Sequence, residues 1–186
     1  MAFIGQFVLA DVPSLAKDAG VLAFHYCQEC THAGEMSFGH GDAHRGYDVR
    51  RLAQLPARPD GQGSVAPGPI PPYAVRLAQV EEIPSDEDLD PALLEQLPEP
   101  GWEDDFDERS WGGLLHLPGS KLGGWPHWQQ TAAWPECPEG RRMAFIAQLD
   151  SVVGADAAWG GGGHAYLFVC PPQCRKRHGE LVIQTT

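Results

Sequence analysis

The stretch Met143-Ala144-Phe145-Ile146-Ala147-Gln148-Leu149 repeats, with two changes, the opening Met1-Ala2-Phe3-Ile4-Gly5-Gln6-Phe7. Both are short apolar runs of the kind that form β-strands. The likeness continues outward from each. A loop follows, Ala10 to Gly20 in one copy and Asp150 to Gly163 in the other. A second apolar run comes next, Val21 to Tyr26 or His164 to Val169. Each run ends in a cysteine, Cys27 or Cys170, with a partner just beyond, Cys30 or Cys174. Each pair leads into Gly-Glu and apolar residues, at Gly34 to Phe38 or Gly179 to Ile183. The offset between copies drifts only from 142 to 145 along this stretch. The order, spacing and identity predict an internal duplication, with copies at 1–38 and 143–183.

The predicted unit is strand, loop, strand, cysteine turn, strand. Two such hairpin units packed about a pseudo-twofold axis make a mainly β (α+β) fold, since a lone hairpin is marginal in water. The 186 residues, 42% of them hydrophobic, suffice for a single domain. Between the copies, residues 56–72 are rich in Pro and Gly and predict an extended loop. Tyr73 to Ile83 and Leu114 to Leu117 predict further strands. Asp90 to Leu97 predicts a short helix, with Asp90 as N-cap and Pro91 in the first turn.

Charge is unevenly placed. The net charge of −12 comes from 13 basic and 25 acidic residues, and 13 of the acidic ones fall between Glu81 and Glu108, where there is no Lys or Arg. The chain therefore reads as a nearly neutral domain with an acidic insertion at 81–108. It lacks the basic footprint of a nucleic-acid binder, and acidic lipid would repel it. No apolar run reaches the roughly 18 residues of a membrane span. The N-terminus lacks the basic region of a secretory signal, so a cytoplasmic location is expected.

In a reducing compartment, tightly spaced cysteines suggest metal more than disulfides. Cys27, Cys30, Cys170 and Cys174 are the candidate ligands of one structural zinc ion, because each pair supplies half a tetrahedron. Reduced thiols at strand ends are the alternative. Other sets are Cys27, Cys30, His40 and His44, or a site in which His32 or His178 replaces a thiolate. Cys137 stands as an unpaired fifth cysteine. No P-loop, G-x-S-x-G or H-E-x-x-H motif is present, and His25, His116, His127 and His164 have no adjacent partner in sequence. All six tryptophans lie in the second half. Trp125, Pro126, Trp128 and Gln130 are the candidate binding residues, because aromatic side chains give large contact area at little entropic cost.

The run Lys121 to Gln130, with Cys137-Pro138 and Met143 to Asp150, resembles the YwqG-like family of bacterial proteins. More distantly it is similar to the programmed cell death protein 2 group. The resemblance implies a largely antiparallel β fold of related halves and no established chemistry for the bacterial members. The eukaryotic relatives are similar to chaperones of a newly made ribosomal protein. Many relatives carry a second cysteine after Cys-Pro-x, where this chain has Gly140. The function expected is that of a non-catalytic protein-binding module, chaperone or adaptor, stabilised by zinc and taking a basic protein or peptide. An enzyme or small-ligand protein with a pocket between the halves is the alternative.

Overall fold

A computed structural model of the protein describes residues 2–12, 20–26, 47–52, 76–82, 84, 86–89, 92, 95, 118–151, 159, 162–175 and 178–185. The described residues are mainly β, in two antiparallel sheets. The first has the order β1 (Ala2–Val8), β2 (Val21–Tyr26), β3 (Tyr47–Leu52). The second has the order β4 (Lys121–Leu122), β5 (Ala144–Asp150), β6 (His164–Val169), β7 (Gly179–Gln184). No helix among the described residues is long and apolar enough to cross a membrane.

The two sheets share a pairing scheme. In the first, Ala2 faces Tyr26 and Val8 faces Val21, with a register shift between Phe3 and Gly5. In the second, Ala144 faces Val169 and Asp150 faces His164, with a shift between Phe145 and Ala147. The inserted residues are Ile4 and Ile146, and such bulges bend the strand that carries them. Ile146 turns its side chain into the core while its carbonyl accepts from Gly123 N–H at 2.8 Å. The third strand of the first sheet is Tyr47–Leu52, which pairs with β2 along its whole length. Residues 34–38, expected to fill that place, lie outside the described residues, as do 56–72 and 111–117.

Alternation along β6 decides the layering. Ala165, Leu167 and Val169 point to one face and join Leu22, Phe24 and Tyr26 of β2 and Leu181 and Ile183 of β7 in the main core. Tyr166 and Phe168 point the other way, into a second cluster with Phe145, Met143 and three cysteines. All six residues of β6 are buried, because both faces of the second sheet are covered. Trp159 plugs the joint between the sheets, with its ring 4.9 Å from Tyr26 and 6.2 Å from Phe24. At the other contact Gly179 sits on Val49, and a Cβ there would come within 2.2 Å of a Val49 methyl.

The strand expected over Tyr73 to Ile83 does not form in its described part. Residues 76–82 have no regular structure, and Leu77 and Val80 are exposed. The segment instead brings Glu82 and, after it, the 3-10 turn Asp86–Asp88 onto the outer face of the second sheet. The helix expected over 90–97 lies almost wholly outside the described residues.

Candidate metal centre

Three buried cysteines meet beneath the outer face of the second sheet. Cys137 sits in a tight turn just ahead of β5. Glu136 bridges to Arg142, Cys137 N–H donates to Arg141 O at 2.8 Å, and Gly140 N–H returns to Cys137 O at 2.8 Å. Gly140 closes this turn at φ 70°, the left-handed region that glycine enters without strain. Cys170 ends β6 and extends its ladder, donating its N–H to His178 O at 2.9 Å. The chain then turns over two prolines, so that Cys174 N–H donates to Pro171 O at 3.0 Å. Two turns thus aim three thiols at one point.

The Sγ atoms of Cys137, Cys170 and Cys174 all lie within 4.8 Å of one another. Cys137 and Cys174 are 3.3 Å apart. Thiolates bound at about 2.3 Å to a tetrahedral ion stand nearly 4 Å apart, so small shifts would admit one. The surroundings offer hydrogen bonds to two of the sulfurs, while burial opposes their ionisation. Arg141 Nη1 lies 3.3 Å from Cys174 Sγ, and His178 N–H donates to Cys170 Sγ at 3.2 Å. Burial pushes the Cys170 thiol up to about 11. Cys137 and Cys174 share a proton. Burial opposes ionisation of Cys137, but hydrogen bonds from the Arg141 N–H and the Cys174 thiol outweigh it and hold Cys137 low. Cys174 is raised by its burial and by the proton it shares.

Part of the set expected from spacing falls in this cluster. Cys170 and Cys174 belong to it. Cys27, Cys30, His32, His40 and His44 lie outside the described residues. His178 contributes its backbone N–H and keeps an exposed side chain. Cys137, set aside in the sequence as an unpaired fifth, is the third thiol. Its signal was the turn Cys137-Pro138-Glu139-Gly140, with proline and glycine spaced as in a cysteine knuckle.

Next to the thiols lies a tryptophan layer. Trp128 packs on Phe168 with rings 6.1 Å apart, and Trp134 packs edge-on to both. The two indole N–H groups donate to the same oxygen of Asp88, at 2.8 and 3.1 Å. Asp88 is only 1% exposed. Arg142 stacks 3.6 Å above Trp134 and donates to the Asp88 carbonyl at 2.7 Å. Glu82 pairs with Lys121 and accepts from Trp125 N–H at 3.0 Å. Glu87 accepts from Ala132 N–H at 2.9 Å, so Glu82, Glu87 and Asp88 are engaged within the molecule, in a segment expected to be mainly surface.

The remaining predicted binding residues support a loop. Pro126 is buried, and Gln130 Nε2 donates to Thr185 O at 2.9 Å. Buried Gln148 accepts from His127 N–H at 2.7 Å and donates to Gly119 O at 2.8 Å. Tyr166 Oη donates to His127 O at 2.6 Å, and its pKa is raised by burial. Gln184 accepts from the N–H groups of Gln129 and Gln130 at 3.0 and 3.1 Å. Residues 127–131 are thus pinned to three strands. His164 has an acidic neighbour that its sequence context hid, since Asp150 Oδ1 is 3.4 Å from its Nε2. Burial nonetheless holds its pKa below 6.5.

These features define a two-sheet β protein with a covered outer face and a three-thiol centre. A family model described as a domain of unknown function, DUF1963, matches residues 120–153. That stretch runs from β4 through the tryptophan loop and the Cys137 turn into β5. No curated protein and no solved structure matches the chain.

Proposed function

We propose that the protein is a non-catalytic protein-binding module whose outer layer is held by a structural zinc ion on Cys137, Cys170 and Cys174. The observation that carries this reading is the convergence of three buried thiols from two separate turns, within 4.8 Å. Soft thiolates in a tetrahedral arrangement suit zinc, and a buried metal site contributes its binding energy to folding. The duplication read from the sequence belongs to the same proposal. The shared pairing register, with a shift at matching places in β1 and β5, supports it. So does the resemblance to the YwqG-like family and, more distantly, to the programmed cell death protein 2 group, and that likeness favours a chaperone or adaptor in the cytoplasm. Shared thiols of the Cys27 pair would make the ion a clamp between the copies.

The test has two parts. Purified protein should contain about one zinc per chain, and chelation should lower its melting temperature. For binding, acidic residues of the insertion other than Glu82, Glu87 and Asp88 should be neutralised. Weaker capture of a basic peptide, chiefly at low salt, is expected, because exposed charges are screened over about 8 Å at physiological ionic strength. Zinc-free protein with unchanged stability would contradict the structural role, and salt-independent capture would contradict the electrostatic one.

A further inference from the structure

The cluster also holds a pair whose chemistry needs no ion. Cys137 Sγ and Cys174 Sγ lie 3.3 Å apart. That is closer than the nearly 4 Å between thiolates on a tetrahedral zinc, and about 1.3 Å more than a disulfide bond. Both side chains are buried, and both sit on turns rather than inside strands. The turn of Cys137 leads into β5, and that of Cys174 follows β6. The two cysteines stand 37 residues apart and enclose the whole β5–β6 hairpin. Cys170 Sγ takes its hydrogen bond from His178 N–H at 3.2 Å. Solvent is one side chain away, since Arg141, 45% exposed, reaches Cys174 Sγ with Nη1 at 3.3 Å.

We infer that Cys137 and Cys174 are a redox pair: with no metal bound, a peroxide joins them in an intrachain disulfide across the open end of the β5–β6 hairpin, and a dithiol parts them again. The inference uses the cluster of the metal reading but not the ion itself. The oxidation runs in two steps. One sulfur, as its thiolate, attacks an oxygen of hydrogen peroxide. The O–O bond breaks, a sulfenic acid forms, and the leaving oxygen takes a proton and departs as water. The second thiol then attacks that sulfur, the S–O bond breaks, and a second water leaves. Two electrons pass from the sulfurs to the peroxide, so two thiols and one hydrogen peroxide give one disulfide and two waters. Dithiothreitol returns both thiols by exchange and becomes its own cyclic disulfide. Bound zinc would engage the same two sulfurs, so metal and disulfide exclude each other at this pair. A cross-link restricts the unfolded chain, more so the longer the loop it closes. The outer layer therefore keeps a fastening when the ion is gone.

The full chain, reduced and stripped of metal with a chelator, tests this on addition of about one equivalent of hydrogen peroxide without air. Trypsin leaves Cys137 in the peptide 122–141 and Cys170 with Cys174 in the peptide 143–175. Mass spectrometry without reductant should find these two joined in most chains, with fragmentation placing the bridge on Cys174. Dithiothreitol should separate them. The oxidised chain should melt several degrees above the reduced metal-free chain. Cys170→Ser should form the same bridge, and so should the double variant Cys27→Ser, Cys30→Ser. Because the parent is mapped directly, the result stands if a variant fails to fold. A bridge to Cys27, Cys30 or Cys170, chains linked to one another, or sulfinic acid without any bridge would overturn the pair. Zinc-loaded protein should form the bridge several-fold more slowly. An equal rate with zinc would instead overturn the metal reading and leave the pair standing.

Discussion

Strands β2 and β6 occupy the same place in their sheets. Each is flanked by antiparallel partners, and each lies opposite a strand with a one-residue register shift. Their surroundings differ. Leu22, Phe24 and Tyr26 of β2 enter the core between the sheets, and His25 is half-buried. In β6 the core-facing set Ala165, Leu167 and Val169 is matched by Tyr166 and Phe168 on the opposite face, under the tryptophan loop and the Asp88 turn. The three thiols lie in that outer layer. In the second sheet this further layer buries Cys170, just past the end of β6, and brings Cys137 to it as a third thiol beside Cys174.

This comparison can be broken most severely at Trp159, which links the sheets. Truncation to Ala removes its contacts with Phe24 and Tyr26 and should cost about 3–5 kcal/mol in chemical denaturation. A loss below about 1 kcal/mol would mean that the sheets do not depend on that joint. Gly179→Ala attacks the other contact. Its Cβ collides with the Val49 side chain, and overpacking of this kind costs about 1–3 kcal/mol. Because a Cβ there would also lie 2.5 Å from the Val49 Cβ, Val49→Gly should cost less in the Gly179→Ala chain than in the parent, a coupling that direct contact produces.

Asp88→Ala sharpens the comparison from the outer layer. It leaves two indole N–H groups without their acceptor, at a cost of about 1–3 kcal/mol. Tryptophan fluorescence should shift to longer wavelength while the β signal in circular dichroism stays. The smallest effect is expected from acid. Burial holds the His164 pKa below 6.5, so the unfolded chain takes up a proton that the folded chain refuses. Stability should therefore fall as pH drops below about 6.5, by at most about 1.4 kcal/mol per pH unit for this group. His164→Gln should flatten that part of the profile relative to the parent. An equal slope in both would assign the acid sensitivity to other groups.

Much of the second sheet was legible in the sequence. The runs Met143 to Leu149, His164 to Val169 and Gly179 to Ile183 became β5, β6 and β7, because apolar β-branched and aromatic residues bounded by glycine and proline leave little choice. The third strand of the first sheet was not. Tyr47–Leu52 carries Asp48, Arg50 and Arg51, and its strand form comes from pairing with β2 rather than from its own apolar content. Asp88 was one acid among many, and only tertiary contact sets it apart. Cys137 has no other cysteine near it in sequence. A third thiol, 37 residues before Cys174, is brought near only by the β5–β6 hairpin.

The central claim is that Cys137, Cys170 and Cys174 hold one ion. Elemental analysis of the Cys137→Ser protein tests it most directly, because the spacing of the cysteine pairs alone would leave this residue out. About one zinc per chain is expected in the parent, with most of it lost and a lower melting temperature in Cys137→Ser. Full zinc content and an unchanged melting temperature in Cys137→Ser would contradict it.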